Sequence, residues 1–87
     1  MMNKNIKDIK IYINNVISKN FNINILQQNL SHENFFGDKI GLFARHLIFI
    51  LYDIERKYSV KLPENELIHK DIYSLDTLSE TIFFHLK

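Results

Sequence analysis

Residues 38–63 read DKIGLFARHLIFILYDIERKYSVKLP, and this stretch decides the fold. Leu47, Ile50, Leu51, Ile54 and Tyr58 recur at the three- and four-residue intervals that lay side chains along one stripe of a helix, with Phe43 one turn earlier on the same side. The spacing predicts a helix over about residues 42–58 that serves as the central core helix, with Leu47, Leu51 and Ile54 buried. Pro63 stops any continuation, since it lacks an N–H and clashes with the preceding turn. At ~100° per residue, Ile48, Phe49 and Tyr52 fall on the far side of this helix, among Arg45, Asp53 and Arg56. That second face is the candidate for function.

Working outward, Ile6, Ile9, Ile13, Val16 and Ile17 form another helical stripe, and Lys7, Asp8, Lys10, Asn14 and Asn15 occupy the remaining turns. This predicts a first helix over roughly residues 4–19. Between residues 20 and 38 the periodicity disappears, and Gly37 marks a turn. A long, packed loop is expected there, with a short helical turn near residues 23–30, because structureless stretches of that length are uncommon in compact domains. Pro63-Glu64-Asn65-Glu66 reads as a connecting turn or the first turn of a short third helix, with Leu67 and Ile68 directed inward. Leu75, Leu78, Ile82 and Phe83 then repeat at helical spacing behind Ser74, a candidate N-cap, and Thr77. The expectation is a single all-α domain over residues 1–87, with three main helices, one short helix and a long first loop.

Composition limits the functional classes. Eighty-seven residues hold one small core. The apolar run at residues 47–52 is far shorter than the ~20 residues of a membrane-crossing helix. The N-terminus MMNKNIKDIK lacks the apolar core and small-residue cleavage site of a secretory signal, so a cytoplasmic protein is expected. There is no cysteine for a disulfide or thiolate metal site. The net charge of +1 comes from interspersed charges without a basic block, which argues against nucleic acid as a partner.

The order of elements resembles that of acyl carrier proteins: a long first loop, a helix, a short helix and a terminal helix. Glu55-Arg56-Lys57-Tyr58-Ser59-Val60-Lys61-Leu62-Pro63 is similar to the carrier pattern at the end of the second helix. Asp71-Ile72-Tyr73-Ser74-Leu75-Asp76-Thr77-Leu78 resembles the carrier segment leading into the last helix. Phe36 and Gly41 fall in register with a loop aromatic and the glycine ahead of the modification motif. The resemblance covers nearly the whole chain and implies a carrier-like four-helix bundle.

The departure lies at the modification motif. Carriers have Asp-Ser-Leu there and attach 4′-phosphopantetheine to the serine; counted back from Glu55 and Pro63 without gaps, this chain has Phe43-Ala44-Arg45. Asp38-Lys39-Ile40 offers lysine rather than serine and would need five extra residues before Pro63. Ser31, Ser59, Ser74 and Ser79 fall elsewhere in the pattern. The resemblance therefore implies a carrier-like fold without the carrier's cofactor. Degenerate carrier relatives of this kind accompany bacterial peptide-maturation systems.

Other chemistry is weakly supported. His32, His46, His69 and His85 contain no i, i+4 pair and no His-Glu-x-x-His arrangement, so no metal site is expected. Asp53, Glu55, Glu64 and Glu66 read as solvated carboxylates at helix ends, and no catalytic constellation is legible. Arg45, Ile48, Phe49, Tyr52 and Arg56 are the candidate partner-binding residues, since aromatics beside arginine are enriched at protein interfaces. The competing reading has the first loop folded over this face. Carrier helices at this place are usually acidic, whereas Arg45, Arg56 and Lys57 here outnumber Asp53 and Glu55, which implies changed partners. The expected function is a non-catalytic, monomeric adaptor for an enzyme or precursor peptide of a biosynthetic system. The alternatives are a carrier with a non-standard attachment site or noncovalent acyl ligand, and an immunity-type inhibitor, which would be expected to carry an acidic face.

Overall fold

A computed structural model describes residues 5–61 and 72–86. The described residues are helical with no strand, in three helices: α1 (Ile6–Phe21), α2 (Ala44–Tyr58) and α3 (Leu75–His85). The expected short helix after Pro63, together with Leu67, Ile68 and His69, lies outside the described residues.

Each helix starts and stops for a local reason. Asn5 caps α1 by accepting the Asp8 N–H at 2.8 Å, and Asn22 ends it in the left-handed conformation that asparagine tolerates. Ser74 caps α3 as the sequence suggested: its Oγ accepts the Thr77 N–H at 3.2 Å while Thr77 Oγ1 accepts the Ser74 N–H at 3.2 Å. At α2 the cap is unusual. Phe43 holds the N-cap position with extended backbone, and its N–H donates to Nδ1 of His46 at 3.0 Å. The other end of α2 closes at Ser59, a left-handed residue whose N–H donates to the Glu55 carbonyl.

One core joins all three helices. Ile9, Ile13, Val16 and Ile17 of α1 meet Leu47, Ile50 and Ile54 of α2 and Leu75, Leu78 and Ile82 of α3. The helix placed between the others is α1, which packs on both; among the described residues α2 and α3 do not approach each other closely. The expectation that α2 is the central helix is therefore corrected. The broad isoleucine and valine face of α1 serves two neighbours, whereas the apolar stripe of α2 serves one. Leu51, expected in the core, is half-buried at its edge.

The segment between α1 and α2 is packed, as expected, with Ile25, Phe35, Ile40 and Leu42 buried. Consecutive turns over residues 25–29 stand where a short helical turn is expected, with the Gln28 N–H donating to the Asn24 carbonyl at 3.2 Å and the Leu30 N–H to the Ile25 carbonyl at 2.9 Å. Their anchor is Asn14, which the periodicity left among the solvent-side residues but which is buried on α1. Its Oδ1 accepts the Leu26 N–H at 3.0 Å and its amide donates to Asn24 Oδ1 at 3.1 Å. A side chain that pairs with loop backbone is stabilised inside, because the unpaired alternative leaves polar groups buried.

Further along, the Phe35 N–H donates to the Tyr73 carbonyl at 2.6 Å and the Leu42 N–H to the Phe35 carbonyl at 2.8 Å. The first bond ties the loop to the entrance of α3, and the second closes the loop on itself ahead of α2. Gly41 carries the chain into Leu42 with φ +76°, a conformation that costs an L side chain energy. The Lys10–Asp76 ion pair at 2.8 Å and the Asp76 N–H to Ser31 carbonyl bond at 3.0 Å fasten α1, loop and α3 together.

Candidate functional site: the outward face of α2

Burying Leu47, Ile50 and Ile54 turns the other side of α2 to solvent, because ~100° per residue separates successive side chains. Ile48, Phe49 and Tyr52 are 54%, 44% and 68% exposed. Arg45 and Arg56, also exposed, stand at the two ends of this stripe. All five residues singled out from the sequence therefore share one open face, and the first loop does not cover them.

Neighbouring aromatics shape the face. Phe49 meets the edge of Phe21, the last residue of α1, with ring centres 6.0 Å apart, and His46 lies 4.6 Å from the same Phe21 ring. The guanidinium of Arg45 sits over the Phe43 ring at 5.1 Å. Phe43 was expected in the core and is instead 58% exposed. Helical spacing placed it inward, but the helix begins only at Ala44, so its extended backbone does not follow the helical phase. Phe43 thereby joins the outward face, a member that periodicity alone missed.

At the inner edge of the face, Asp53 is turned toward α1. Its carboxylate accepts the hydroxyl of Tyr12 and lies 3.7 Å from the Arg56 guanidinium. The expectation of a solvated Asp53 is corrected, since its side chain is only 19% exposed. Burial first, then the hydrogen bond and negative charge of Asp53, push the Tyr12 hydroxyl up to about 12. Burial and the charge of Asp8 also raise Tyr58, whose ring meets Tyr12 edge to face. Lys57 lies over the Tyr12 ring at 5.4 Å. The basic end of α2 thus has Arg56 directed outward and the carboxylate beside it engaged inward.

At the other end, Ala44 is the first residue of α2 and is exposed. It borders an open hollow of about 440 Å³, lined also by Phe36, Asp38, Leu42 and Phe43. A methyl group at this position supplies no nucleophile. The described serines occupy other places. Ser18 lies within α1, Ser31 donates to Asp76 at 3.4 Å, Ser74 caps α3, Ser79 is buried against the Leu75 carbonyl at 2.7 Å, and Ser59 closes the opposite end of α2.

Among the described residues no group of three or more histidines and carboxylates is placed to hold a metal ion. His46 packs against Phe21 and Phe43, and His32 pairs with Glu33 at 3.1 Å. No described helix is long and apolar enough to cross a membrane. No protein-family model matches the chain, and comparison with curated proteins and with solved structures finds no match.

Proposed function

We propose that this chain is a non-catalytic adaptor of acyl carrier-like architecture, which docks through the outward face of α2 on an enzyme or precursor peptide of a biosynthetic or peptide-maturation system and carries no 4′-phosphopantetheine. The observation that carries this reading is the exposed stripe of Arg45, Ile48, Phe49, Tyr52 and Arg56 directly following Ala44. Large apolar and aromatic side chains grouped on an open helix face are a feature of interaction surfaces, and tyrosine and arginine are the residues that dominate their energetics.

The second support is the chemistry absent from the start of α2. A phosphopantetheinyl transferase needs a hydroxyl, and Ala44 has only a methyl group. Ser59, the serine at the other end of the helix, lies ~22 Å away along its axis. Incubation with coenzyme A and a broad-specificity transferase, read by intact-mass spectrometry, tests the cofactor-free part of the proposal. The expected mass is unchanged, and Ala44→Ser alone is modified poorly because Phe43 and Arg45 replace the flanking Asp and Leu of the carrier motif. A gain of one phosphopantetheine by the unaltered protein would establish a working carrier with another attachment site.

A further inference from the structure

Resting on the reading of this face as a docking surface, we infer that its partner is an amphipathic helical segment with an apolar stripe flanked at both ends by carboxylates. The inference comes from the spacing and environment of the two arginines. Eleven residues bring an α-helix round to within ~20° of the same direction, so Arg45 and Arg56 lie on one line, ~16 Å apart, with Ile48, Phe49 and Tyr52 between them. The Arg45 guanidinium lies on the Phe43 ring, and Arg56 remains 81% exposed despite Asp53 at 3.7 Å. Asp53 is drawn inward by Tyr12, and Glu55, half-buried, lies ~80–100° from the two arginines on the Ile48 edge of the stripe. The apolar stripe therefore has a positive group at each end.

A second copy of the chain paired through Phe49 and Tyr52 fits this pattern poorly. An antiparallel pairing that stacks Phe49 on Tyr52 of the other copy also sets Arg45 opposite Arg56, because both pairs share one midpoint. A parallel twofold pairing sets each arginine against its own equivalent. Both arrangements bring guanidinium groups together at both ends, where like charges disfavour association. Anionic lipid is also disfavoured: clusters of 4–8 basic residues are typical of surface attraction to membranes, whereas this stripe offers two arginines on a chain of net charge +1. A helix of matching length with Asp or Glu at each end pairs both arginines and covers the apolar residues together.

The test is a selection from a displayed library of amphipathic helical peptides with randomised flanking positions, performed on the wild-type protein and on Arg45→Glu/Arg56→Glu. Wild-type protein is expected to enrich Asp and Glu at both flanks, and the charge-reversed protein Lys and Arg at the same positions. A selected acidic peptide should bind the reversed protein at least about tenfold more weakly and lose affinity as salt rises. Circular dichroism checks that the helices persist, and Arg45→Gln/Arg56→Gln replaces the reversal if it disturbs them. Enriched peptides that need Tyr52 but show no charge preference overturn the acidic partner and leave the docking face intact. No Tyr52-dependent binding of any kind overturns both, whereas a dimer abolished by Tyr52→Ala in sedimentation, or Tyr52-dependent binding only to anionic vesicles, overturns the acidic helical partner and leaves the face as an interaction surface.

Discussion

The Tyr12 hydroxyl of α1 donates to the Asp53 carboxylate of α2, joining two helices across 41 residues of sequence. The bond orients α2 as well as attaching it. With Asp53 held toward α1, the adjacent Tyr52 is directed outward and the Ile48–Phe49 pair one turn earlier follows it. Removal of the hydroxyl in Tyr12→Phe leaves a largely buried carboxylate without its donor and should lower stability by about 1–3 kcal/mol in chemical denaturation.

The same contact makes stability depend on pH in the alkaline range. Tyr12 keeps its proton in the folded state up to about 12, while the unfolded chain loses it near the ordinary value of 10.0. Its contribution is therefore fully present below pH 10 and is lost as pH rises through the folded value, since over that interval the native state binds more protons. The part due to Tyr12 should be on the order of 1–2 kcal/mol, less than the full shift implies because the ring is partly solvated. Denaturation midpoints measured from pH 9 upward should fall less steeply in Tyr12→Phe, with the raised Tyr58 accounting for a residual slope.

Two isoleucines on opposite sides of α2 provide a paired test of its orientation. Ile54 is fully buried and Ile48 is 54% exposed. Ile54→Ala should cost ~2–5 kcal/mol, and Ile48→Ala under ~1 kcal/mol. The reverse order in urea denaturation would place the outward face against the core and remove the basis for docking there.

Asn14 links α1 to the long loop through Leu26 and Asn24. Asn14→Ala should destabilise by about 1–3 kcal/mol by leaving the Leu26 N–H unpaired. Amide hydrogen exchange should quicken at Leu26 and through the following turn, and more there than in α3. Uniform quickening across the chain would show that Asn14 supports the whole fold rather than the loop.

Several of these relationships differ in how far the sequence exposes them. The stripes of α1, α2 and α3 are legible because each repeats within a few residues, and the outward position of Ile48, Phe49 and Tyr52 follows from the same period. The roles of Asn14 and Asp53 are not legible, since a polar residue reads as solvated until a partner elsewhere in the chain is known. Tyr12 is distant in sequence from Asp53, and no local pattern announces the bond. Phe43 reads as inward-facing because periodicity does not mark the residue at which the helix begins. Nor does it show which helix has two neighbours: α1 and α2 both carry core stripes, and only their packing gives α1 the middle place. The docking role of the exposed face is a chemical inference from its residue types, which neither period nor burial specifies.

Docking through α2 is tested most directly by binding of purified wild-type protein and Arg45→Ala/Tyr52→Ala to the products of neighbouring genes, measured side by side with circular dichroism and melting. Both residues are exposed, so the variant should retain wild-type helicity and melt within a few degrees of the parent, about 1 kcal/mol or less in stability. Its binding to the cognate enzyme or precursor peptide should fall by at least about tenfold, as expected for loss of an aromatic and a guanidinium at an interface. A folded variant that binds such a partner as tightly as wild type would contradict the assignment of this face.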